Sequence, residues 1–131
     1  MKMYLIIFAV ILFAGTAIAQ EIPINTSDLE TLCGGAVLDT GANPGPYGNN
    51  ESESITLCPE DGTVTNLYSP VFDLGVGDEI VIYDGNSNTA PILGTYTGND
   101  LQNLSIVASD TNASGCLTIE FTSDASEVGN F

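Results

Sequence analysis

A series of short apolar runs, each bounded by turn-forming residues, is the feature that most restricts the fold of this chain. The clearest case lies between Val71 and Gly98, where Glu79–Tyr83 and Ile92–Tyr96 are rich in β-branched and aromatic residues and are separated by Asp-Gly, Asn and Pro. Such runs favour β-strands, and this punctuation is typical of a hairpin. No segment after the N-terminal run shows a helical period of useful length. The sequence therefore predicts an all-β fold.

Further strands are predicted at fairly even spacing along the chain. Leu117–Thr122 alternates most cleanly, with its apolar residues directed to a core and its polar residues, Thr118 among them, directed to water. Ile80–Tyr83 is apolar on both faces. Two packed sheets produce such a mixture of half-exposed and buried strands, so we expect an antiparallel two-sheet sandwich. The other predicted strands are Ala36–Leu38, Ile55–Leu57, Val64–Tyr68, Val71–Leu74 and Leu104–Ala108.

The first nineteen residues have the pattern of a secretory signal peptide. Lys2 precedes an apolar run, and Ala17-Ile18-Ala19 is a small-residue cleavage pattern before Gln20. A membrane anchor is the alternative, but the run is shorter than the ~20 residues that span a bilayer. We expect residues 20–32 to be a linker or a loose first strand and residues 33–131 to form one domain. The mature chain is thus predicted to be secreted or at the cell surface, without membrane insertion.

The charge of the chain is almost entirely negative. Its 17 Asp and Glu residues face one basic residue, Lys2, and there is no His. Such a surface repels phosphate backbones and anionic headgroups, which argues against nucleic acid and membrane-surface partners. Cations are the natural counter-charge. The alternative is that the acidity serves only solubility.

Three cysteines in a chain predicted to be secreted indicate disulfide bonding with one cysteine left over. A bond between Cys33 and Cys58 would close a loop of about 25 residues, worth roughly 3.5 kcal/mol in the chain-entropy model. Cys116 is then either a buried free thiol or paired outside this sequence.

Three carboxylates lie at the ends of the runs in the central segment. Asp73, Asp78 and Asp84 are placed where their side chains can converge on one rim and hold a cation. The Asp-Gly-Asn sequence that begins at Asp84 has its glycine at the wrong position for an EF-hand loop. That sequence therefore predicts a turn.

Catalytic arrangements are few in this composition. Without His and with Lys2 as the only basic residue, Ser–His and Cys–His nucleophiles are excluded, and zinc lacks its commonest ligands. The sequence Val37–Ala42 resembles the Asp-Thr-Gly-Ala turn of retropepsin-type aspartic proteases, with Asp39 as the catalytic residue. The prolines and glycines that follow, and the chain after Gly94, do not fit that family. A turn in which Asp39 bonds its own backbone is the other interpretation.

Cys33–Phe131 resembles a CUB domain of the kind found in secreted multidomain bacterial proteins. The pieces that carry the resemblance occur in register along the chain: Asp39-Thr40-Gly41, Tyr47-Gly48-Asn49-Asn50, Glu53–Pro59, Phe72-Asp73-Leu74, Asp78–Gly85, Ala90–Gly94, Ser114–Thr118 and Phe121–Asp124. The resemblance implies a jelly-roll-like sandwich that binds proteins or carbohydrates and has no catalytic activity of its own.

The resemblance also implies a Ca²⁺ site at one end of the sandwich. By motif position its ligands are Asp78 and Asp124, with Ser126 and Glu127 in the same loop. The calcium-binding members carry a Glu between the positions of Leu74 and Asp78, whereas this chain has Gly75-Val76-Gly77. Asp73 or Glu79 would have to compensate.

Two further expectations follow from the resemblance. The ending Val128–Phe131 stands where a CUB domain continues into one more strand, so the final strand is expected to be missing and Cys116 to pair with a residue outside this sequence. The chain is then a secreted, non-enzymatic binding or adhesion module within a larger polypeptide, with further domains and an extracellular protein or carbohydrate as partners. The alternatives are a protease centred on Asp39 and a carbohydrate-binding sandwich whose exposed Tyr47, Tyr68 or Tyr96 stacks on sugar rings.

Overall fold

The computed structural model describes residues 20–25, 30–31, 35–42, 44–60 and 62–131, and these residues form strands, turns and loops without a helix. The predicted signal peptide and Cys33 lie outside the described residues. Within the described part, no helix is long and apolar enough to cross a membrane. The strands are β1 (Gln20–Pro23), β2 (Glu30–Thr31), β3 (Gly35–Leu38), β4 (Ser52–Cys58), β5 (Asn66–Ser69), β6 (Glu79–Tyr83), β7 (Ile92–Tyr96), β8 (Leu104–Val107) and β9 (Leu117–Thr122).

One layer of the fold is a continuous five-stranded sheet in the order β2-β4-β9-β6-β7. Strand β9 lies at its centre and pairs antiparallel with both β4 and β6, so that Ile119 stands opposite Ile55 on one side and Ile82 on the other. Strands β6 and β7 form the predicted antiparallel hairpin. The apolar residues of the central strands therefore line up across one face of the sheet.

The other layer consists of two separate pairs of strands. Strand β1 pairs parallel with β3, and β5 pairs antiparallel with β8. Side chains from both layers contribute to one core, which confirms the predicted all-β sandwich. The buried core residues are Ile22, Ile24, Tyr47, Ile55, Leu57, Phe72, Leu74, Ile80, Ile82, Leu101, Ala108, Leu117, Ile119 and Phe121.

The structure differs from the sequence-based prediction in one missing strand, in the burial of one residue and in several strand bounds. Val71–Leu74 is not a strand, because Asp73 makes only an isolated bridge with Asn130. Thr118, predicted to face water, is 3% exposed. Its hydroxyl contacts the hydroxyl of Thr56 at 2.9 Å and donates to the carbonyl of Gly85 at 2.9 Å, so the loop after β6 covers this part of the sheet.

The disulfide of the described residues joins Cys58 to Cys116, 58 positions apart. The predicted pairing of Cys33 with Cys58 is therefore wrong, and so is the expectation that Cys116 is free or paired outside the sequence. The reason is the sheet register. Leu57 stands opposite Leu117, which brings the end of β4 next to the residue before β9. Distance along the chain was a poor guide because sheet pairing joins distant segments.

Candidate functional site

The loops at one end of the sandwich meet at an acidic rim, which we define as Tyr47, Asp78, Asp124, Ser126 and Glu127. Asp78 is fully buried. Its Oδ2 accepts a hydrogen bond from the Tyr47 hydroxyl at 2.6 Å, and its Oδ1 accepts one from the Asp124 backbone N–H at 2.7 Å. Asp78, the residue before β6, is therefore held by the loop after β9 and by the β3–β4 connection.

Tyr47 is the centre of this arrangement. Its hydroxyl also accepts a hydrogen bond from the Gly75 N–H at 2.7 Å, and its ring packs edge-on against Phe121 with centroids 4.8 Å apart. Burial, followed by the hydrogen bond to Asp78, raises the pKa of Tyr47 above its usual range. The tyrosine thus joins the core to the rim as a neutral donor.

The remaining rim residues bond within and between their loops. Asp124 Oδ1 accepts from the Ser126 N–H at 2.7 Å and from the Ser126 hydroxyl at 3.1 Å. Glu127 Oε2 accepts from the Val76 N–H at 3.3 Å. Glu127 has a left-handed backbone with φ of 50°, a conformation that a residue with a side chain rarely adopts. The loop after β9 is therefore bent to meet the loop before β6.

The predicted calcium ligands are brought together, but their chemistry does not fit the implied Ca²⁺ site. Ca²⁺ takes six to eight oxygen ligands, several of them carboxylates. No group of three or more His, Cys, Asp or Glu side chains suited to a metal occurs among the described residues. A side chain at Gly75, where an acid is missing, would collide with the backbone of Glu127 and crowd Asp78 Oδ2. The carboxylates of Asp78, Asp124 and Glu127 accept hydrogen bonds from the protein instead. Calcium binding stays a prediction from the resemblance.

Asp73, Asp78 and Asp84 do not all converge on one rim, because Asp84 lies at the other end of β6 from Asp78. The side chain of Asp73 is exposed. Asp84 Oδ1 accepts hydrogen bonds from the Ser109 N–H at 3.0 Å and from the Asn112 side chain at 2.9 Å. Hydrogen bonds from Ser109, and more weakly from Asn112, hold the pKa of Asp84 below its usual range. Asp84 therefore ties the loop after β6 to the loop after β8.

Asp39 has the geometry of a turn residue. Its carboxylate accepts hydrogen bonds from the Gly41 N–H at 3.0 Å and from the Phe131 N–H at 3.2 Å. Burial raises the pKa of Asp39, and these backbone hydrogen bonds oppose the rise. Each carboxylate oxygen of Asp39 thus accepts a hydrogen bond from a backbone N–H, one within its own turn and one from Phe131.

The layer that consists of the pairs β1–β3 and β5–β8 is called the divided layer below. An apolar groove separates its two strand pairs. Its volume is about 780 Å³, and its walls include all of β3 and all of β5. Leu57, Ile80 and Ile119 of the continuous sheet also line it. At its mouth Tyr68 and Val71 are 56% and 58% exposed. The local alternation of each strand does not indicate which strands pair, so sequence reasoning missed this feature.

The three tyrosines proposed as sugar platforms differ in exposure. Tyr47 is 2% exposed and belongs to the core, so its predicted role on an open surface is wrong. Tyr96 is half-buried. Tyr68 is well exposed at the groove and is the tyrosine best placed to meet a ligand. Its hydroxyl donates to Asn103 Oδ1 at 3.3 Å, which orients the ring beside β8.

No family model matches the chain. A search of solved structures finds a likeness to the full extracellular region of zebrafish Gpr126/Adgrg6, with a TM-score of 0.62 and 17% sequence identity. The matched part is 81% of this chain and 13% of that chain, so the chain spans a small fraction of the larger protein's length. At this identity the likeness shows the fold alone. The chain therefore has a β-domain fold that also occurs within an extracellular region.

Proposed function

We propose that this chain is a secreted, non-catalytic module that binds a polypeptide ligand in the groove between β3 and β5. The observation that carries the proposal is the apolar groove itself, whose floor is formed by the buried residues Leu57, Ile80 and Ile119 of the continuous sheet. Its volume of about 780 Å³ is within the ~300–1,000 Å³ of typical ligand sites. Adhesion or targeting within a larger extracellular polypeptide is the role that such a module supplies.

The exposed apolar side chains of the mouth support this proposal. Tyr68 of β5 lines the groove together with Val64, which precedes β5, and Val71, which follows it, and Val64 is 47% exposed. Exposed apolar side chains that line one groove favour a binding partner over water. Aromatic residues are also enriched among those that dominate binding energy at interfaces.

A carbohydrate ligand is the second candidate, and Tyr68 is the observation that favours it. An exposed tyrosine ring offers an apolar face for a sugar and a polar hydroxyl at its edge. Tyr68→Ala would abolish such binding, whereas Tyr68→Phe would retain the stacking surface.

An array that carries both diverse peptides and glycans tests the two ligand classes together. We expect the secreted protein to bind peptides, and Val71→Arg to reduce this binding at least about tenfold by placing a charge in the mouth. Val76→Arg is the matched control, because Val76 is 77% exposed in the rim loop and does not line the groove. Equal loss in both variants, or peptide binding that Val71→Arg leaves intact, would refute the groove as the site.

The protease alternative is tested separately with Asp39→Asn. We expect no peptide hydrolysis by the unaltered protein between pH 3 and pH 7, and we expect the folded variant to bind the ligand. Hydrolysis that disappears in Asp39→Asn would replace the binding proposal with an enzymatic one.

A further inference from the structure

The divided layer has a gap where a sheet would place one more strand. Strand β3 pairs through one edge with β1, and β5 pairs through one edge with β8. Both β3 and β5 line the groove completely, whereas no residue of β1 or β8 lines it. The second edges of β3 and β5 therefore face each other across the groove. Within the described ranges, neither of these edges is paired with a strand.

We propose that the groove binds an extended β-strand of a separate, basic polypeptide, which hydrogen-bonds to the free edges of β3 and β5 and joins the divided layer into one sheet. This proposal rests on the proposed function and specifies the form of its ligand. The backbone groups on an open edge are a template for another strand. An added strand also buries its alternate side chains on the apolar floor of the groove, where Leu57, Phe72 and Leu101 lie.

The charge of the chain selects the partner. The chain has 17 acidic residues and one basic residue, Lys2. A second copy of this chain would bring the same negative charge to the groove, and like charges at an interface oppose binding. A strand with apolar residues facing the floor and Lys or Arg facing outward complements both the apolar groove and the net negative charge of the chain.

The length of the strand follows from the groove walls. Strands β3 and β5 each contain four residues. At ~3.3 Å per residue, such walls match a ligand segment of roughly four to six residues. Main-chain hydrogen bonds then supply affinity, and the two or three inward side chains supply specificity.

Synthetic peptides of about nine residues test the proposal on the full secreted protein. The probe has Val at alternate positions and Lys between them. One matched peptide carries Glu in place of Lys, and another carries N-methyl groups on alternate backbone amides, so that one edge of the strand loses its donors. We expect each matched peptide to bind at least about tenfold more weakly than the probe when dissociation constants are measured by fluorescence anisotropy. We also expect binding of the probe to weaken as salt is raised.

Amide hydrogen exchange locates the bound strand. We expect the probe to protect amides of β3 and β5 and to leave those of β7, the other long edge, unchanged. Val71→Arg should weaken probe binding, whereas Ile92→Arg should not, because Val71 lines the groove and Ile92, 60% exposed, lies on β7. Protection at β7 would overturn the proposal, and so would equal affinity for the N-methylated peptide.

Other occupants of the groove give distinct results. Protection of the groove edges of β3 and β5 before peptide is added would show that a segment of the same polypeptide fills the gap. A dimer in light scattering that excludes the probe would show that a second copy does. Either result overturns the basic partner strand. If array ligands bind in the groove but N-methylation of bound peptides has no effect, the proposed function stands and the strand proposal fails.

Discussion

The two layers of the sandwich differ in how completely the edges of their strands are paired. In the five-stranded sheet each of β4, β9 and β6 has a neighbour on both edges, and their core-facing residues are buried. In the divided layer, strands pair two by two and leave an apolar groove between the pairs. The apolar side chains that line the mouth of the groove, such as Tyr68 and Val71, stay about half exposed.

Under the proposed function, this difference separates the part of the molecule that supplies stability from the part that binds a ligand. A sheet with paired edges and buried apolar residues supplies most of the hydrophobic free energy, at ~25 cal/mol per Å² of buried apolar surface. A layer with open edges buries less and keeps its strand template available to a partner. We therefore expect substitutions in the continuous sheet to unfold the protein and those in the divided layer to change mainly ligand binding.

The largest effect is expected for the disulfide of the continuous sheet. The bond between Cys58 and Cys116 spans 58 residues. Its removal in Cys58→Ser/Cys116→Ser should lower the free energy of unfolding by roughly 4 kcal/mol in the chain-entropy model. Urea denaturation measures the change.

Cys33→Ser is the matched control for that experiment. We expect it to leave the bond between Cys58 and Cys116 intact in mass spectra of non-reduced peptides and the unfolding midpoint close to that of the unaltered protein. A Cys33–Cys58 peptide in the same spectra of the unaltered protein would contradict the structure.

Truncation of one isoleucine in each layer compares the two layers directly. Ile82 on β6 is fully buried, and Ile106 on β8 is partly buried against the core. Ile82→Ala should cost about 3 kcal/mol, because it leaves a cavity between packed strands. Ile106→Ala should cost about 1 kcal/mol. Equal costs in urea denaturation would show that the divided layer is as tightly packed as the other.

The rim ties the β3–β4 connection to the continuous sheet, and Tyr47→Phe removes that tie without removing the ring. The substitution leaves Asp78 without one donor and the Gly75 N–H without an acceptor. We expect a loss of about 2 kcal/mol in the free energy of unfolding, since buried polar groups then lack partners. Tyr68→Phe, which removes an exposed hydroxyl, is the control and should be nearly neutral. A neutral Tyr47→Phe would show that water replaces the hydroxyl.

Local sequence patterns predicted the continuous sheet well. The apolar runs of β6, β7 and β9 were located with their observed bounds, because each strand combines strong β-propensity with turn residues at both ends. Val71–Leu74 has the same alternation but finds only one bridging partner. Alternation reports which side chains are buried and does not report whether a neighbouring strand is present.

Pairing over long distance could not be predicted from the sequence. The bond of Cys58 to Cys116 follows from the register of β4 and β9, and spacing along the chain favoured Cys33 instead. The acids at the ends of β6 illustrate the same limit. A five-residue strand separates Asp78 from Asp84 by roughly 20 Å, so they serve opposite ends of the sheet.

A smaller effect is expected where Asp84 ties the loops after β6 and β8. Because its pKa is lowered in the folded protein, Asp84 stabilises the fold above its unfolded pKa, and this stabilisation is lost as pH falls through the folded pKa. Asp84→Asn should therefore reduce stability at neutral pH by less than about 1 kcal/mol and flatten the acid side of the stability profile. Asp110→Asn, an exposed acid in the loop after β8, should change this profile less. An unaltered acid slope in Asp84→Asn would contradict the role of its hydrogen bonds.

The smallest effect on stability is expected from added Ca²⁺, because the carboxylates of the rim already accept hydrogen bonds from the protein. A site with a Kd of ~0.1–1 mM would stabilise the protein by about 1.4–2.7 kcal/mol in ~10 mM Ca²⁺. The carboxylates of Asp78, Asp124 and Glu127 accept donors from the protein, and Gly75 leaves no room for a further acid. We therefore expect thermal melts with and without Ca²⁺ to coincide, with Mg²⁺ at equal ionic strength as the control for screening. A rise in Tm that Asp124→Asn abolishes would instead establish the implied metal site and show that the rim rearranges to form it.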